Sequence, residues 1–204
     1  MKALILSPHP DDMEFGCGGT VSKLTRTGHE VRQLVFCLAP GLGVSGDIRR
    51  EEATAAARIL GLSGTQVSDF PHRNFSSVRQ MVLDYLCKIN DEYRPDVVYC
   101  PATTDNHQDH RVIAEEAIRA FRNQSLYGYE LPWNNISFNH VVFEVIGTRD
   151  LDRKWESVAA HKSIMGRRAY HNEEFVRSLA KLRGAQIGVN NAEVFEAIRI
   201  VRDE

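Results

Sequence analysis

Residues 3–12 read ALILSPHPDD, a short apolar run that leads directly into proline, histidine and aspartate. The apolar part, Ala3 to Ser7, is typical of a strand that is buried on both faces of a sheet. The two prolines stiffen the segment that follows, because each fixes its own φ and restricts the residue before it. A ligand set has to be held rigidly, so this polar segment is a candidate site.

Similar apolar segments recur along the first half of the chain and alternate with segments of helical pattern. Strands are predicted at 3–7, 30–38, 65–70 and 96–100, and helices at 20–27, 47–60, 76–93 and 109–122. Asp47 is the predicted N-cap of the second helix and Gly61 its predicted end. This alternation predicts an α/β fold, Rossmann-like, with a mostly parallel sheet and helices on both faces.

The second half of the chain is less regular. Residues 123–138 are rich in asparagine and aromatic side chains, and we interpret them as an irregular working loop. A strand is predicted at 139–146, helices at 152–165 and 173–182, and a breaker-rich loop at 39–43. No repeat or linker interrupts the sequence, so residues 1–204 are predicted to form one domain.

Composition excludes several classes of protein. The 204 residues are 43% hydrophobic and 25% charged, which is close to the globular average. A formal net charge of −2 gives no basic field for nucleic acid, and no apolar run approaches the ~20 residues of a membrane span. The first apolar stretch is too short for a secretion signal, so a cytoplasmic location is expected. Four cysteines without a C-x-x-C pair argue against a disulfide framework or a cysteine-type zinc site.

Two polar clusters carry the chemistry of the chain. The first spans residues 7–14, directly after the first strand, and the second spans residues 105–110, shortly after the fourth. Because ligands of open α/β sheets bind outside the carboxyl ends of the strands, the predicted topology brings the clusters together. Imidazole and carboxylate bind zinc or iron, and a catalytic site typically uses three such ligands and one open position.

The spacing within each cluster supports a divalent-cation site. His9 and Asp12 are three residues apart, as are His107 and His110, which places each pair on one side of a turn. Asp11 and Asp12 cannot point the same way, so one carboxylate suits the cation and the other suits a general base. The alternative is that these side chains are helix caps and surface polar groups.

The motifs resemble the LmbE-like (PIG-L) family of metal-dependent de-N-acetylases. The resemblance rests on PHPDD at 8–12, GCGGT at 16–20 and HQDH at 107–110, with weaker similarity at 49–61 and 183–195. It implies a Rossmann-like fold and a hydrolase that removes the acetyl group from a small N-acetylated sugar, such as N-acetylglucosamine, or a sugar conjugate. The implied cofactor is Zn²⁺, with Fe²⁺ as the alternative. No nucleic acid or membrane is expected as a partner, and a homo-oligomer is left open.

The resemblance assigns the core of the site by motif position. It implies that His9, Asp12 and His110 are the metal ligands and that Asp11 is the general base. In such a mechanism the metal activates a water and polarises the amide carbonyl, while the base accepts the proton of the water.

Further residues take roles around that core by the same resemblance. His107 would stabilise the oxyanion or act as general acid, Asp109 would orient His107 and raise its pKa, and Arg49 would contact the substrate. Asn191 stands where the family has a tyrosine, so another group or a different substrate is expected there. Met13 stands where the family usually has an acidic residue, which removes no ligand.

Two other functions fit parts of the pattern. A metal-binding protein without turnover would need the ligands but would have no use for the second carboxylate. A non-haem iron oxygenase also uses two histidines and one carboxylate, although on β-barrels.

Three further expectations concern residues outside the two clusters. Several aromatic and amide side chains are predicted to face either a sugar or a packed loop, namely Tyr127, Tyr129, Trp133, Asn134 and Asn135. The glycines at 16, 18 and 19 are predicted to allow close packing rather than to bind phosphate. The remaining histidines of interest are predicted to be surface or core groups, namely His72, His140, His161 and His171.

Overall fold

A computed structural model describes residues 1–39 and 43–202 of the chain. The strands are β1 (Lys2–Ser7), β2 (Glu30–Val35), β3 (Gly64–Val67), β4 (Val97–Pro101), β5 (Ser125–Tyr129), β6 (Val142–Val145) and β7 (Ala192–Arg199). The helices are α1 (Asp12–Arg26), α2 (Gly46–Leu60), α3 (Arg79–Tyr93), α4 (Gln108–Ala120), α5 (Thr148–Ala159) and α6 (Glu173–Gln186), with a 3₁₀ turn at Phe75–Val78. Residues 40–42 of the loop predicted at 39–43 lie outside the described residues.

The described strands form one sheet of order β3-β2-β1-β4-β5-β7-β6. Neighbours from β3 to β5 pair in parallel, and β7 pairs antiparallel with both β5 and β6. After β1 the chain adds β2 and β3 on one side of the sheet, and after β4 it adds β5 on the other side. The connections that follow β1 and β4 therefore run in opposite directions. Such a switch point opens a crevice at the carboxyl ends of β1 and β4. The predicted α/β class with a mostly parallel sheet is confirmed.

The sheet is covered on both faces, as the sequence of β1 indicates. Ala3 and Ile5 pack in one buried cluster with side chains of α1, α5 and α6. Leu4 and Leu6 point the other way and pack with side chains of α3 and α4. Because successive side chains of a strand alternate between faces, an uninterrupted apolar run is what a doubly covered strand requires.

Two strands differ from the predictions. Residues 125–129 form β5, parallel to β4, so the prediction of an irregular loop over 123–138 is wrong there. The segment includes Gly128, which weakens any strand pattern, but a Cβ at this position would lie 2.8 Å from the Cα of Ala102. Strand β7 was not predicted, because glutamates interrupt its apolar pattern. Tertiary contacts therefore decide both strands.

Helix α1 also begins earlier than predicted, at Asp12 instead of Thr20. The glycines at 16, 18 and 19 lower helix propensity, yet they lie inside α1, which is kinked at Cys17. A Cβ on Gly16 would lie 2.4 Å from the ring of Tyr129, and one on Gly19 would lie 2.6 Å from Ile146. The prediction that these glycines allow close packing is confirmed.

The ends of other elements show smaller differences. Helix α2 is capped by Ser45, whose hydroxyl accepts the N–H of Ile48, and not by Asp47 as predicted. Gly61 ends α2 in the left-handed conformation with φ 76°, as predicted. Helix α5 lies at 148–159 instead of 152–165, so the residues after it are available to line the crevice.

Two further observations concern membrane-spanning helices and the cysteines. In the described ranges, no helix combines the length and the apolar character needed to cross a bilayer. The cysteines are unpaired, and all except Cys87 are buried.

Candidate active site

The two polar clusters meet at the carboxyl ends of β1 and β4. The loop after β1 carries His9, and the first turn of α4 carries His110, more than a hundred residues later in the sequence. Their Nδ1 and Nε2 atoms lie 3.1 Å apart, and both side chains are buried. The predicted convergence of two distant segments is therefore present in the structure.

Three donor atoms form a small triangle at this point. His9 Nδ1 lies 3.1 Å from His110 Nε2, Asp12 Oδ2 lies 3.3 Å from His9 Nδ1, and the same oxygen lies 3.2 Å from His110 Nε2. Ligand atoms at the ~2.0–2.2 Å bond lengths of tetrahedral zinc would be ~3.3–3.6 Å apart. The triangle is close to one face of such a tetrahedron.

Carboxylates behind the two imidazoles set their tautomers. His9 Nε2 lies 3.2 Å from Asp109 Oδ2, and His110 Nδ1 lies 2.8 Å from Asp105 Oδ2. A ring nitrogen that donates to a carboxylate leaves the other nitrogen with its lone pair, so both lone pairs are directed to the triangle. This orientation is the one that a cation ligand requires, and the residues present therefore fit a divalent cation.

The electrostatics of the triangle favour positive charge. Burial lowers the pKa of His110, but the charge of Asp12 and hydrogen bonds to Asp105 and Asp12 outweigh burial and raise it to about 10. Burial likewise opposes the ionisation of Asp12, yet the two histidines hold the pKa of its carboxyl well below its usual range. A point that stabilises imidazolium in this way also suits a metal cation.

Asp105 belongs to the site, although the sequence pattern predicts no role for it. It is 1% exposed, and besides His110 it accepts the backbone N–H of His107 through Oδ1 at 2.8 Å. The amide of Asn134 donates to Oδ2 at 3.3 Å. Asp105 therefore fixes both histidines of the second cluster. The only sequence signal was its place at the start of that cluster.

Asp109 orients a different histidine from the one expected. Its carboxylate accepts the backbone N–H groups of Arg73 at 2.8 Å and Phe75 at 3.3 Å and contacts His9. Only its own backbone N–H, at 3.2 Å from Nδ1, bonds to His107. The prediction that Asp109 orients His107 through its side chain is therefore wrong.

His107 is the N-cap of α4 and faces the triangle. Its ring centroid lies 4.9 Å from that of His9 and 4.5 Å from that of His110. Burial and then the positive charge of His110 and His9 lower its pKa to about 4. The charge of Asp109 acts to raise this pKa, as predicted, but the other causes outweigh it. Because Nδ1 accepts a backbone N–H, the neutral ring carries its proton on Nε2 and is a hydrogen-bond donor there.

Asp11 is outside the triangle, and its carboxylate pairs with Arg49 instead. Its Oδ1 accepts Nη2 of Arg49 at 3.1 Å, and the Nε of Arg49 donates to the carbonyl of Leu38 at 3.4 Å. Asp11 and the buried Arg49 both line a cavity of about 340 Å³ beside the triangle. The Asp11 carboxylate is adjacent to the cation ligands but is not one of them. Because it lies at the cavity wall, it can contact a water or a substrate.

The aromatic and amide residues predicted to face either a sugar or a packed loop have different positions in the structure. Tyr129 is fully buried, and its hydroxyl donates to the carbonyl of Leu6 at 2.9 Å, so it cannot face a ligand. Tyr127 packs on Tyr99 and Phe195. Asn134 and Asn135 donate to Asp105 and Thr104 in the loop after β4. Trp133 stacks flat on Tyr170, at 3.7 Å and 4°, and Tyr170 lines the cavity.

The histidines predicted as surface or core groups also separate. His72 and His171 line the cavity, so that prediction missed two groups at the site. The ring of His72 packs edge-on against the ring of His9, with 5.4 Å between their centroids. His161 is a fully buried core residue, as predicted, with Nε2 3.4 Å from Glu14 Oε1. His140 is partly exposed beside Glu130.

Comparison with known proteins identifies the family. The family described as PIG-L, GlcNAc-PI de-N-acetylase, matches residues 4–121, which include both clusters. The chain belongs to this family. A relative named uncharacterized deacetylase YaiS, from Escherichia coli K12, is 30% identical over 78% of this chain and 90% of its own length. The diacetylchitobiose deacetylase of Thermococcus kodakarensis is 31% identical over 54% of this chain and 45% of that enzyme.

Solved structures with the same fold cover the whole chain or nearly all of it. The conserved protein TT1542 from Thermus thermophilus superposes with a TM-score of 0.84, at 24% identity, over 99% of this chain and 96% of its own. GalB, the 4-carboxy-2-hydroxymuconate hydratase of Pseudomonas putida KT2440, superposes with a TM-score of 0.78, at 21% identity, over 100% of this chain and 98% of its own. The fold therefore carries more than one reaction, and the site has to decide the function.

Proposed function

We propose that this protein is a metal-dependent hydrolase that removes the N-acetyl group from an amino sugar or a sugar conjugate. One observation carries the proposal: two imidazole lone pairs and a carboxylate oxygen converge within 3.1–3.3 Å, beside a second carboxylate at a cavity wall. The names of the family and of the relatives support the substrate class.

His9, Asp12 and His110 would hold the cation, for which Zn²⁺ is our first choice and Fe²⁺ the alternative. When bound, a divalent cation supplies Lewis-acid polarisation of the amide carbonyl and lowers the pKa of the attacking water. Asp105 and Asp109 keep the two imidazoles in the ligating tautomer. Histidines that bind metals commonly donate their other ring N–H to a carboxylate in this way.

Asp11 and His107 share the proton chemistry. The Asp11 carboxylate accepts a proton from water as the oxygen attacks the carbonyl carbon, and Arg49 holds the carboxylate in place. The Nε2–H of His107 donates to the carbonyl oxygen as it gains negative charge. The proton held by Asp11 then reaches the nitrogen as the carbon–nitrogen bond breaks, which releases acetate and a free amine. The low pKa of His107 favours the oxyanion role over that of general acid.

The proposal is tested by acetate release. We expect the purified chain to release acetate from a panel of N-acetylated amino sugars, to lose that activity with a chelator, and to regain it with added Zn²⁺ or Fe²⁺. Acetate is measured enzymatically and the metal content by elemental analysis. Activity that survives complete metal removal would contradict the metal role. Consumption of oxygen with a 2-oxoacid and Fe²⁺, in place of acetate release, would favour the oxygenase alternative.

A second test concerns the hydrogen bond between the Asp105 carboxylate and the imidazole of His110. We expect Asp105→Asn to lower cation affinity by about 10- to 100-fold, because an amide stabilises the ligating tautomer of His110 less well than a carboxylate. Competition with a chelating dye measures the affinity. Asp91→Asn, the same change at an exposed position of α3, is the matched control and should leave the affinity unchanged. Equal affinities for the two variants would show that Asp105 only supports the fold.

A further inference from the structure

The cavity beside Asp11 is unusually basic for this chain. Four arginines line it, namely Arg49, Arg73, Arg167 and Arg168, whereas Asp11 is the one carboxylate among its described lining residues. The whole chain has a formal net charge of −2, so the positive charge at this cavity is not part of a generally basic protein. The charge is concentrated where a substrate would enter.

The guanidinium groups of Arg73 and Arg168 make no hydrogen bond and no ion pair with a carboxylate within residues 1–39 and 43–202. Some arginines elsewhere in the chain pair with a carboxylate, for example Arg26 with Asp150 and Arg177 with Asp152. In the buried Arg49, Nη1 also has no hydrogen-bond partner, although Nη2 and Nε are satisfied. Arg73 and Arg168 are exposed, whereas Nη1 of Arg49 is a buried donor. Buried donors are normally paired, so this group is available to donate to a ligand oxygen or a water.

Arg73 is fixed in place by the site itself. Its φ of 60° lies in the left-handed region, which is rare for a residue with a side chain. Its N–H donates to Asp109 at 2.8 Å, and its carbonyl accepts the amide of Gln108 at 2.8 Å. A strained conformation held by the residues of a site is commonly functional. Here it holds Arg73 at the cavity.

Another part of the cavity wall comes from residues 161–171, which are anchored at two points. Ser163 donates both its N–H and its hydroxyl to the carboxylate of Glu52 on α2, each at 2.6 Å. At the other end Tyr170 stacks on Trp133. Arg168 lies between these anchors, so its backbone is positioned before a ligand arrives, which lowers the entropic cost of binding.

We propose that this cavity selects acetamide substrates that carry an anionic group, a carboxylate or a phosphate, and that Arg73 and Arg168 bind that group while Asp11 faces the acetamide. The inference rests on the proposed function and narrows its substrate class. Guanidinium is the side chain best suited to both anions, because it can donate two parallel hydrogen bonds to their oxygens.

The test compares three substrates that share one acetamido sugar. They are the neutral methyl glycoside of N-acetylglucosamine, its carboxymethyl glycoside and N-acetylglucosamine 1-phosphate. We expect kcat/KM for an anionic member to exceed that of the neutral one by about tenfold or more at low salt, and the advantage to shrink at about 0.5 M salt. The carboxylate and phosphate members show which anion is preferred.

Variants identify the residues responsible. Arg73→Gln together with Arg168→Gln should remove the anionic preference, through a loss of about 10- to 100-fold in kcat/KM for the preferred anion and less than about twofold for the neutral glycoside. Arg58→Gln with Arg122→Gln removes the same charge in the last turn of α2 and just after α4, away from the cavity lining, and should change neither. An equal loss for all substrates in the first variant would show a structural role and overturn the proposal.

The outcomes separate the two proposals. Equal kcat/KM for neutral and anionic substrates in the unmodified chain overturns the anionic preference and leaves the hydrolase intact. If no substrate releases acetate, the hydrolase proposal fails, and calorimetric titration with N-acetylglucosamine and its 1-phosphate decides the preference. Tighter binding of the phosphate that depends on Arg73 and Arg168 supports an anionic site, and equal binding overturns it.

Discussion

Asp11→Asn is expected to retain the cation and to lose about 10²- to 10⁴-fold in kcat, the range over which general bases contribute. The asparagine has almost the same shape and still accepts from Arg49, which lies 3.1 Å from the Asp11 carboxylate. It cannot accept a proton from water. The cation ligands are untouched, because Asp11 lies outside the triangle of His9, Asp12 and His110.

The measurement pairs steady-state acetate release with metal content on the same preparation. Asp47→Asn is the matched control, since this exposed carboxylate in the first turn of α2 lies on a nearby element but does not line the cavity. We expect its kcat to stay within about twofold of the parent, as for surface substitutions generally. A variant at Asp11 that keeps full hydrolysis would refute the base assignment, and one that loses the metal would make Asp11 a ligand.

Lys154→Met is expected to destabilise the fold by about 3–5 kcal/mol, the cost of leaving a buried charge without its partner. Lys154 on α5 is 4% exposed, and its Nζ lies 2.5 Å from Glu193 on β7 and 2.7 Å from the carbonyl of Phe15. Glu193 also accepts the backbone N–H groups of Gly19 and Thr20, at 2.9 and 2.6 Å. The pair therefore joins the kinked part of α1 to α5 and β7.

Urea unfolding followed by circular dichroism measures the change in the free energy of unfolding. Lys88→Met is the control, because its 3.8 Å contact with Glu92 is on the surface and should contribute no more than about 0.5 kcal/mol. Adding Glu193→Gln to Lys154→Met should recover part of the loss, since an amide can still accept one backbone N–H without a buried charge. A loss below about 1 kcal/mol for Lys154→Met would mean that water reaches Glu193.

Residues that are close in sequence explain most of what could be predicted about the site. The spacing of His9 and Asp12, and of His107 and His110, indicated two pairs on common sides of a turn, and the order of strands placed both pairs at one sheet edge. The structure brings three of these four side chains into one triangle and leaves His107 beside it. The catalytic and ligand roles themselves remain predictions for the experiments above.

Contacts between distant segments explain what could not be predicted. Asp109 bonds to His9 instead of His107, because the backbone of Arg73 and Phe75 fixes the direction of its carboxylate. Nothing near Asp109 in the sequence encodes that direction. His72 reaches the cavity for a similar reason, since it follows β3, at the edge of the sheet. The arginines of the cavity are likewise drawn from segments far apart in the chain, Arg49 and Arg168 being more than a hundred residues apart.

The class of fold and the two segments that carry the polar groups could be predicted from the sequence alone. Both are local properties: an apolar run of strand length, its alternation with helices, and histidine and aspartate at fixed spacing. Three features depend on the folded chain: which carboxylate orients which imidazole, the strand at residues 125–129, and the start of α1 at Asp12. These features follow from packing and hydrogen bonds between segments far apart in the chain, and such contacts can outweigh the local preferences on which sequence patterns depend.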